Sequence, residues 1–146
     1  LELARRFGAT DAIDASAGDV VARVQDLAGG VDYSFECIGL PATVEQAFRM
    51  LRPGGTATVL GLFKPGTRIG IEGSDFFLEK RLQGSAMGSS NIREDIPRLV
   101  DLYLQGRLNL QDLVSQRIRL EDINAGFEAM KSGRVARSVV VFDEVA

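Results

Sequence analysis

The sequence predicts an α/β fold, a parallel sheet whose strands are linked by helices. Three observations predict it. Segments of apolar period two alternate with segments of helical period along the chain. The order strand, helix, strand favours right-handed crossovers and hence parallel pairing. The later strand-like runs are nearly all apolar, as in sheets buried on both faces.

Taken in order, Leu1 to Gly8 sets Leu3, Ala4 and Phe7 on one helical face and closes on glycine, so it reads as the last two turns of a helix. No capping residue precedes it, and the chain is therefore expected to begin inside an element, as a fragment would. Ala12-Ile13-Asp14 is long enough only for a short edge strand. Ser16, with Asp19 three residues on, stands before Val20, Val21, Val24, Leu27 and Ala28, and predicts a capped helix stopped at Gly29-Gly30. Val31, Tyr33, Phe35 and Cys37 alternate with Asp32, Ser34 and Glu36, which predicts a strand.

The pattern then repeats. Val44, Ala47, Phe48 and Leu51 share a helix face, Pro53-Gly54-Gly55 forms a turn, and residues 56–62 make a second, buried strand. Phe63 to Gly73 is loop, an apolar cluster runs from Asp75 to Leu78, and a third strand is expected around Leu82 to Met87. A helix carries Ile96, Leu99, Val100, Tyr103 and Leu104, with Pro97 in or near its first turn. A shorter one carries Ile123, Phe127 and Met130, stops at Ser132-Gly133, and leads into a last strand, Val139 to Phe142.

Composition excludes several chemistries. Among 146 residues there is no histidine and one cysteine, so this chain contains no Ser-His-Asp or Cys-His machinery, imidazole ligand, internal disulfide or multi-thiolate zinc site. Cysteine usage suits a reducing, cytoplasmic setting. With 17 Lys+Arg against 20 Asp+Glu the net charge is −3, which gives no reason to expect nucleic acid or an anionic membrane as partner. No apolar stretch reaches the roughly 20 residues of a membrane helix. The length predicts one domain.

In an open parallel sheet, ligands bind beyond the carboxyl ends of the strands. Here Ile38-Gly39, Leu60-Gly61 and Met87-Gly88 each end a predicted strand in glycine. Any one of them is read first as a tight turn, whereas three together favour a ligand edge. No G-x-G-x-x-G or G-x-x-x-x-G-K-[ST] sequence is present, so the residues alone do not establish a nucleotide site. Arg137, near Arg134, opens the last strand and is either a phosphate ligand or a solvated charge, the second being preferred on sequence. Cys37 reads as a small buried apolar residue before a nucleophile. Asp32 and Glu36 read as solvated or helix-contacting carboxylates before an acid/base pair. Phe76 and Phe77 read as core before substrate pocket.

The whole chain resembles the C-terminal portion of zinc-dependent alcohol dehydrogenases of the medium-chain dehydrogenase/reductase family. The resemblance runs collinearly through Phe7-Gly8-Ala9-Thr10-Asp11, Gly29 to Gly39, Arg52-Pro53-Gly54-Gly55, Val59-Leu60-Gly61, Gly84-Ser85, Gly88, residues 96–100, residues 123–127 and Ser132-Gly133 to Arg137. GGVDYSFECIG and SGRVARS are specific as a pair, whereas RPGG before an apolar strand is shared with other folds.

The resemblance implies a nicotinamide-dependent oxidoreductase, using NAD or NADP, that moves a hydride between an alcohol and an aldehyde or ketone while zinc polarises the oxygen. It implies a nicotinamide-side cofactor groove lined at Cys37, Ile38 and Gly39, at Leu60, Gly61 and Leu62, and at Ser85, Ala86 and Met87, with Arg137 on the cofactor pyrophosphate. The family's zinc ligands, first two Rossmann strands and glycine-rich turn have no counterpart in this chain. Residues 1–146 are therefore expected to be the C-terminal part of a dinucleotide-binding domain with the family's C-terminal helices and return strand. That makes the fold a partial Rossmann-type doubly wound parallel sheet lacking its first two strands. The isolated chain is expected to be inactive, with no catalytic or metal-binding residue of its own, and to form a homodimer through the sheet edge near Leu82 to Met87. The alternatives are a zinc-independent quinone or enoyl reductase of the same family, a Rossmann-like methyltransferase, and a non-enzymatic binding module.

Overall fold

A computed structural model describes residues 1–133 and 135–142. The chain forms two compact units, residues 1–90 and 91–146, where the length predicts one.

The first unit contains α1 (Glu2–Arg6), α2 (Val20–Ala28), β1 (Val31–Glu36), α3 (Pro41–Arg49), β2 (Leu51–Val59) and β3 (Arg81–Gly84). The three strands are parallel in the order β1-β2-β3. The helix and strand order expected from sequence is present, with four corrections. Ala12-Ile13-Asp14 forms no strand. Ser16 does not cap α2: its N–H and hydroxyl donate to Asp14 in a separate helical turn, Ala15–Ala17. Gly18, at φ 140°, breaks the chain there, and Asp19 caps α2 by accepting the N–H groups of Val21 and Ala22 at 2.9 and 3.2 Å. At the other end Gly29 takes the left-handed conformation as read from sequence.

The third correction concerns Pro53-Gly54-Gly55. Val31 pairs with Leu51 and Tyr33 with Thr56, so residues 52–55 form a bulge within β2 and not a turn before it. Arg52 seals the bulge, donating to the Gly30 carbonyl at 2.9 Å and pairing with Asp32 at 3.2 Å. The fourth concerns β3, which stops at Gly84. Only the Ser85 N–H extends the ladder, donating to the Val59 carbonyl at 2.9 Å, before Met87, Gly88 and Ser89 turn left-handed at φ 50°, 70° and 55°.

α3 begins on Pro41 and buries Val44, Ala47 and Phe48. The core joins Phe48, Leu51 and Ala57 with the partly buried Val31, Ile71 and Leu82. Each large side chain of this kind contributes about 1.5–3 kcal/mol when fully buried. Phe76 touches the core, its ring 5.5 Å from Phe48, while Phe77 is exposed and not core as expected. The Lys80 ammonium is buried over the Phe48 ring at 5.7 Å and pairs with Asp75 at 3.1 Å.

The second unit contains α4 (Ile92–Leu104), β4 (Gln116–Ile118), α5 (Ile123–Lys131) and β5 (Ser138–Val140). Pro97 lies in the second turn of α4, later than expected. The last strand, β5, pairs in parallel with β4, a three-residue strand with no apolar alternation to betray it. Gly126 brings α5 close to this pair, since a Cβ there would stand 2.8 Å from the Ile118 methyl. Among the described residues no helix is long and apolar enough to cross a membrane.

Candidate functional site

The carboxyl ends of β1, β2 and β3 lie side by side, and each passes into an exposed loop. The β1 end meets the β2 end directly: Leu60 and Gly61 donate their N–H groups to the Glu36 carbonyl at 2.7 and 3.1 Å. Gly39 packs against the backbone of Leu62, and Gly61 against the backbone of Gly39 and the Glu36 carboxylate, so neither position has room for a Cβ. The β3 end is tied by the bond from Ser85 to Val59 and closed by a Ser85–Ser89 hydroxyl contact of 3.1 Å. The structure therefore brings together Cys37, Ile38, Gly39, Leu60, Gly61, Leu62, Ser85, Ala86 and Met87.

The edge is apolar and open. Leu62 is 93% exposed and Met87 81%, and Ile38 and Leu60 are also on the surface. Exposed apolar side chains above close-packed backbone suit a flat ring held by contact and by main-chain hydrogen bonds. Cys37, the first residue beyond β1, is exposed here, contrary to the buried role read from sequence.

Glu36 faces the other way and is 3% exposed. Its Oε1 accepts from the Ile38 and Gly39 N–H groups, each at 2.8 Å, and from the Thr43 hydroxyl at 2.7 Å. Oε2 is buried without a partner. Burial works to raise the pKa of this carboxyl, but the hydrogen bonds from Thr43 and the turn N–H groups outweigh it and hold the group below its ordinary value. Asp32 is the solvated carboxylate of the pair, exposed and bound to Arg52. The helix contact read for Glu36 is present, through Thr43 of α3, while its hold on the turn N–H groups was missed. Its signal was a carboxylate at a strand end followed by glycine and then by threonine in the first turn of a helix.

Beside the edge of β1 that pairs with no strand among the described residues lies a groove of about 490 Å³ lined by Val24, Tyr33, Phe35, Cys37 and Met50, among others. Arg137 belongs to the second unit, where its carbonyl accepts the Ser115 N–H at 2.9 Å just before β5. Arg134 lies outside the described residues. Among the described residues no three Cys, Asp or Glu side chains gather as a metal site would need, so the residues present do not fit zinc. A nicotinamide cofactor fits the sheet edge better, as an apolar wall with backbone beneath it.

The zinc-binding dehydrogenase family profile matches residues 1–105 of this parallel α/β chain. The chain belongs to that family, and it corresponds to the C-terminal portion of the zinc-dependent alcohol dehydrogenases. It is 35% identical to alcohol dehydrogenase-like 2 of Arabidopsis thaliana over 98% of its own length and 38% of that protein's. It is 34% identical to a class-3 alcohol dehydrogenase of Cereibacter sphaeroides, covering 97% of this chain and 40% of the relative. Benzyl alcohol dehydrogenase from Acinetobacter calcoaceticus superposes with a TM-score of 0.91 at 28% identity, over 98% of this chain and 40% of that one. The chain thus spans about two fifths of the length of these relatives. Membership of the family argues against the methyltransferase alternative.

Proposed function

We propose that this chain forms the nicotinamide-side wall of the cofactor groove of an NAD- or NADP-dependent alcohol dehydrogenase. The observation that carries the reading is the meeting of three strand ends, at Ile38-Gly39, Gly61-Leu62 and Ser85 to Met87, with apolar side chains standing open above them. When bound, the nicotinamide ring accepts or donates the hydride. The chain's own residues bind and orient: Ile38, Leu62 and Met87 press on the cofactor and exclude water, while the backbone beneath sets its depth. Arg137 is assigned to the cofactor pyrophosphate, which a guanidinium holds bidentately. The zinc ligands and the proton path are assigned to the part of the enzyme outside this chain.

Because Ala12 to Asp14 forms no strand, this reading makes β1, β2 and β3 the last three strands of a six-stranded Rossmann sheet, so three strands and not two are assigned to the rest of the enzyme. The open edge of β1 and its groove support it, because a strand there would otherwise keep its outer N–H and C=O groups unpaired. The free edge of β3 is assigned to a homodimer contact. Alcohols are favoured over quinones as substrates by the names of the relatives, which include geraniol and benzyl alcohol dehydrogenases.

The test is reduced-cofactor fluorescence in the full-length enzyme. Leu62→Asp is expected to weaken binding about tenfold or more, by setting a charge against the cofactor face. Wild-type affinity in that variant rejects the placement. The isolated chain, given zinc, cofactor and alcohols, is expected to give no nicotinamide-absorbance turnover, and steady turnover would refute that assignment.

A further inference from the structure

We infer that Glu36 is a positioning residue for the cofactor groove, fixing the turn Cys37–Gly39 against the β2 exit at Leu60–Leu62. The inference rests on the function proposed above and deepens it, because the two loops held are two of the three that make the wall.

A carboxylate is a costly choice for this place. Glu36 ends β1 on the face covered by α3, where alternation asks for an apolar side chain, and burying a charge is unfavourable unless hydrogen bonds replace its water. No lysine or arginine pairs with it among the described residues. What replaces water is the turn itself. Two consecutive N–H groups and the hydroxyl of Thr43, in the first turn of α3, converge on Oε1. Bonds to a charged acceptor are the strong kind.

The same residue holds the second loop by its main chain, since its carbonyl accepts both Leu60 and Gly61. Its other carboxylate oxygen, Oε2, is shut away against Gly61 with no donor. Glycine at 39 and at 61 lets the two loops touch backbone to backbone, so any swing of the turn is transmitted to the β2 exit. Glu36 itself is almost fully buried. It acts through Ile38, Gly39 and Gly61, and its loss would leave every groove-lining side chain in place while loosening the wall they stand on.

The experiment compares Glu36→Gln, Glu36→Asp and Thr43→Val in the full-length enzyme. It reads the dissociation constant of the reduced cofactor by fluorescence, KM for cofactor and for alcohol, kcat, and the thermal midpoint. Losing charge-assisted bonds of this kind predicts that Glu36→Gln raises the cofactor Kd and KM about tenfold, while KM for alcohol at saturating cofactor changes less than about twofold. Glu36→Asp, a methylene short of the turn, is expected to fail to rescue, and Thr43→Val, which removes one donor of three, to raise Kd about threefold. If Glu36→Gln does not fold, Thr43→Val decides alone.

Folded variants with wild-type cofactor affinity overturn the inference and leave the proposed function standing. So does an equal rise in both KM values with a fallen thermal midpoint, which marks a structural role only. A wild-type enzyme that binds no nicotinamide cofactor overturns the proposed function, and the inference with it.

Discussion

The two faces of the three-stranded sheet are built from alternate residues of the same strands, yet they differ in nearly every physical respect. On one face Ser34, Glu36, Ala57 and Leu82 lie on the α3 side, where Phe48 and Leu51 are fully buried and the Ser34 hydroxyl donates to the Ala47 carbonyl at 2.8 Å. On the other face Tyr33 is 70% exposed and Phe35 67%, beside Thr58 and Gln83, which bond to each other across the β2–β3 ladder. Residue type does not separate the faces, because the aromatic side chains are on the open one and the buried carboxylate on the covered one. What separates them is whether a helix packs there.

The contrast is sharpest in stability. Phe48→Ala, in the covered core, is expected to cost about 3–5 kcal/mol, through lost burial and a cavity that cannot collapse. Urea unfolding followed by circular dichroism measures it, and a loss under about 1 kcal/mol would mean that the α3 face does not carry the fold.

The covered face should also make stability depend on acid. Because hydrogen bonds hold the folded Glu36 carboxyl below its ordinary value, the unfolded chain binds the proton more readily, and stability falls as pH drops through the ordinary carboxylate range toward the folded value. Above that range the contribution is fully present. Urea midpoints at a series of pH values should show a slope that Glu36→Gln reduces, and an unchanged slope would assign the acid sensitivity elsewhere.

Smaller effects follow from single hydroxyls and open rings. Ser34→Ala should cost about 1 kcal/mol, the worth of one partly buried hydrogen bond. Phe35→Ser, one residue along on the open face, should change the stability of this chain by less than about 0.5 kcal/mol. If the same substitution costs several times more in the full-length enzyme, that face is covered there, and the comparison between faces belongs to the chain alone.

Much of the first unit was legible in the sequence because its signals are local. Gly29 stops α2, alternation from Val31 marks β1, and the spacing of Val44, Ala47 and Phe48 marks α3, although Leu51, read on the same helix face, opens β2. Gly39 and Gly61 mark the sheet edge that carries the candidate site, whereas Gly88, read as a third strand end, lies beyond β3. Features set by tertiary pairing were not legible. Pro53-Gly54-Gly55 carries turn chemistry, but the register with β1 makes it a bulge, and Gln116-Arg117-Ile118 has no strand pattern until Ser138 to Val140 lies beside it. Ala12 to Asp14 has strand-like residues but pairs with no strand among the described residues. Cys37 and Phe77 were misread as buried because composition ranks residue types and does not count the layers above them. For Glu36 the helix contact read from sequence is present, through the Thr43 hydroxyl, whereas its bonds to the Ile38 and Gly39 N–H groups were not legible, because backbone donors leave no mark on side-chain patterns.

The parallel ladder also bears on how this region reaches its fold. Every pairing in the β1-β2-β3 sheet joins strands that lie far apart along the chain, Val31 with Leu51 and Thr56 with Arg81, and none is a hairpin. A hairpin can zip from its turn within about 1–10 μs, whereas these ladders must first close a loop that holds a whole helix or a long irregular segment. Helix α3 therefore has to find its place against strands that are not yet joined. That search, more than helix growth, is expected to limit folding of the first unit, so shortening the segment between β2 and β3 should speed refolding more than raising the helix propensity of α3.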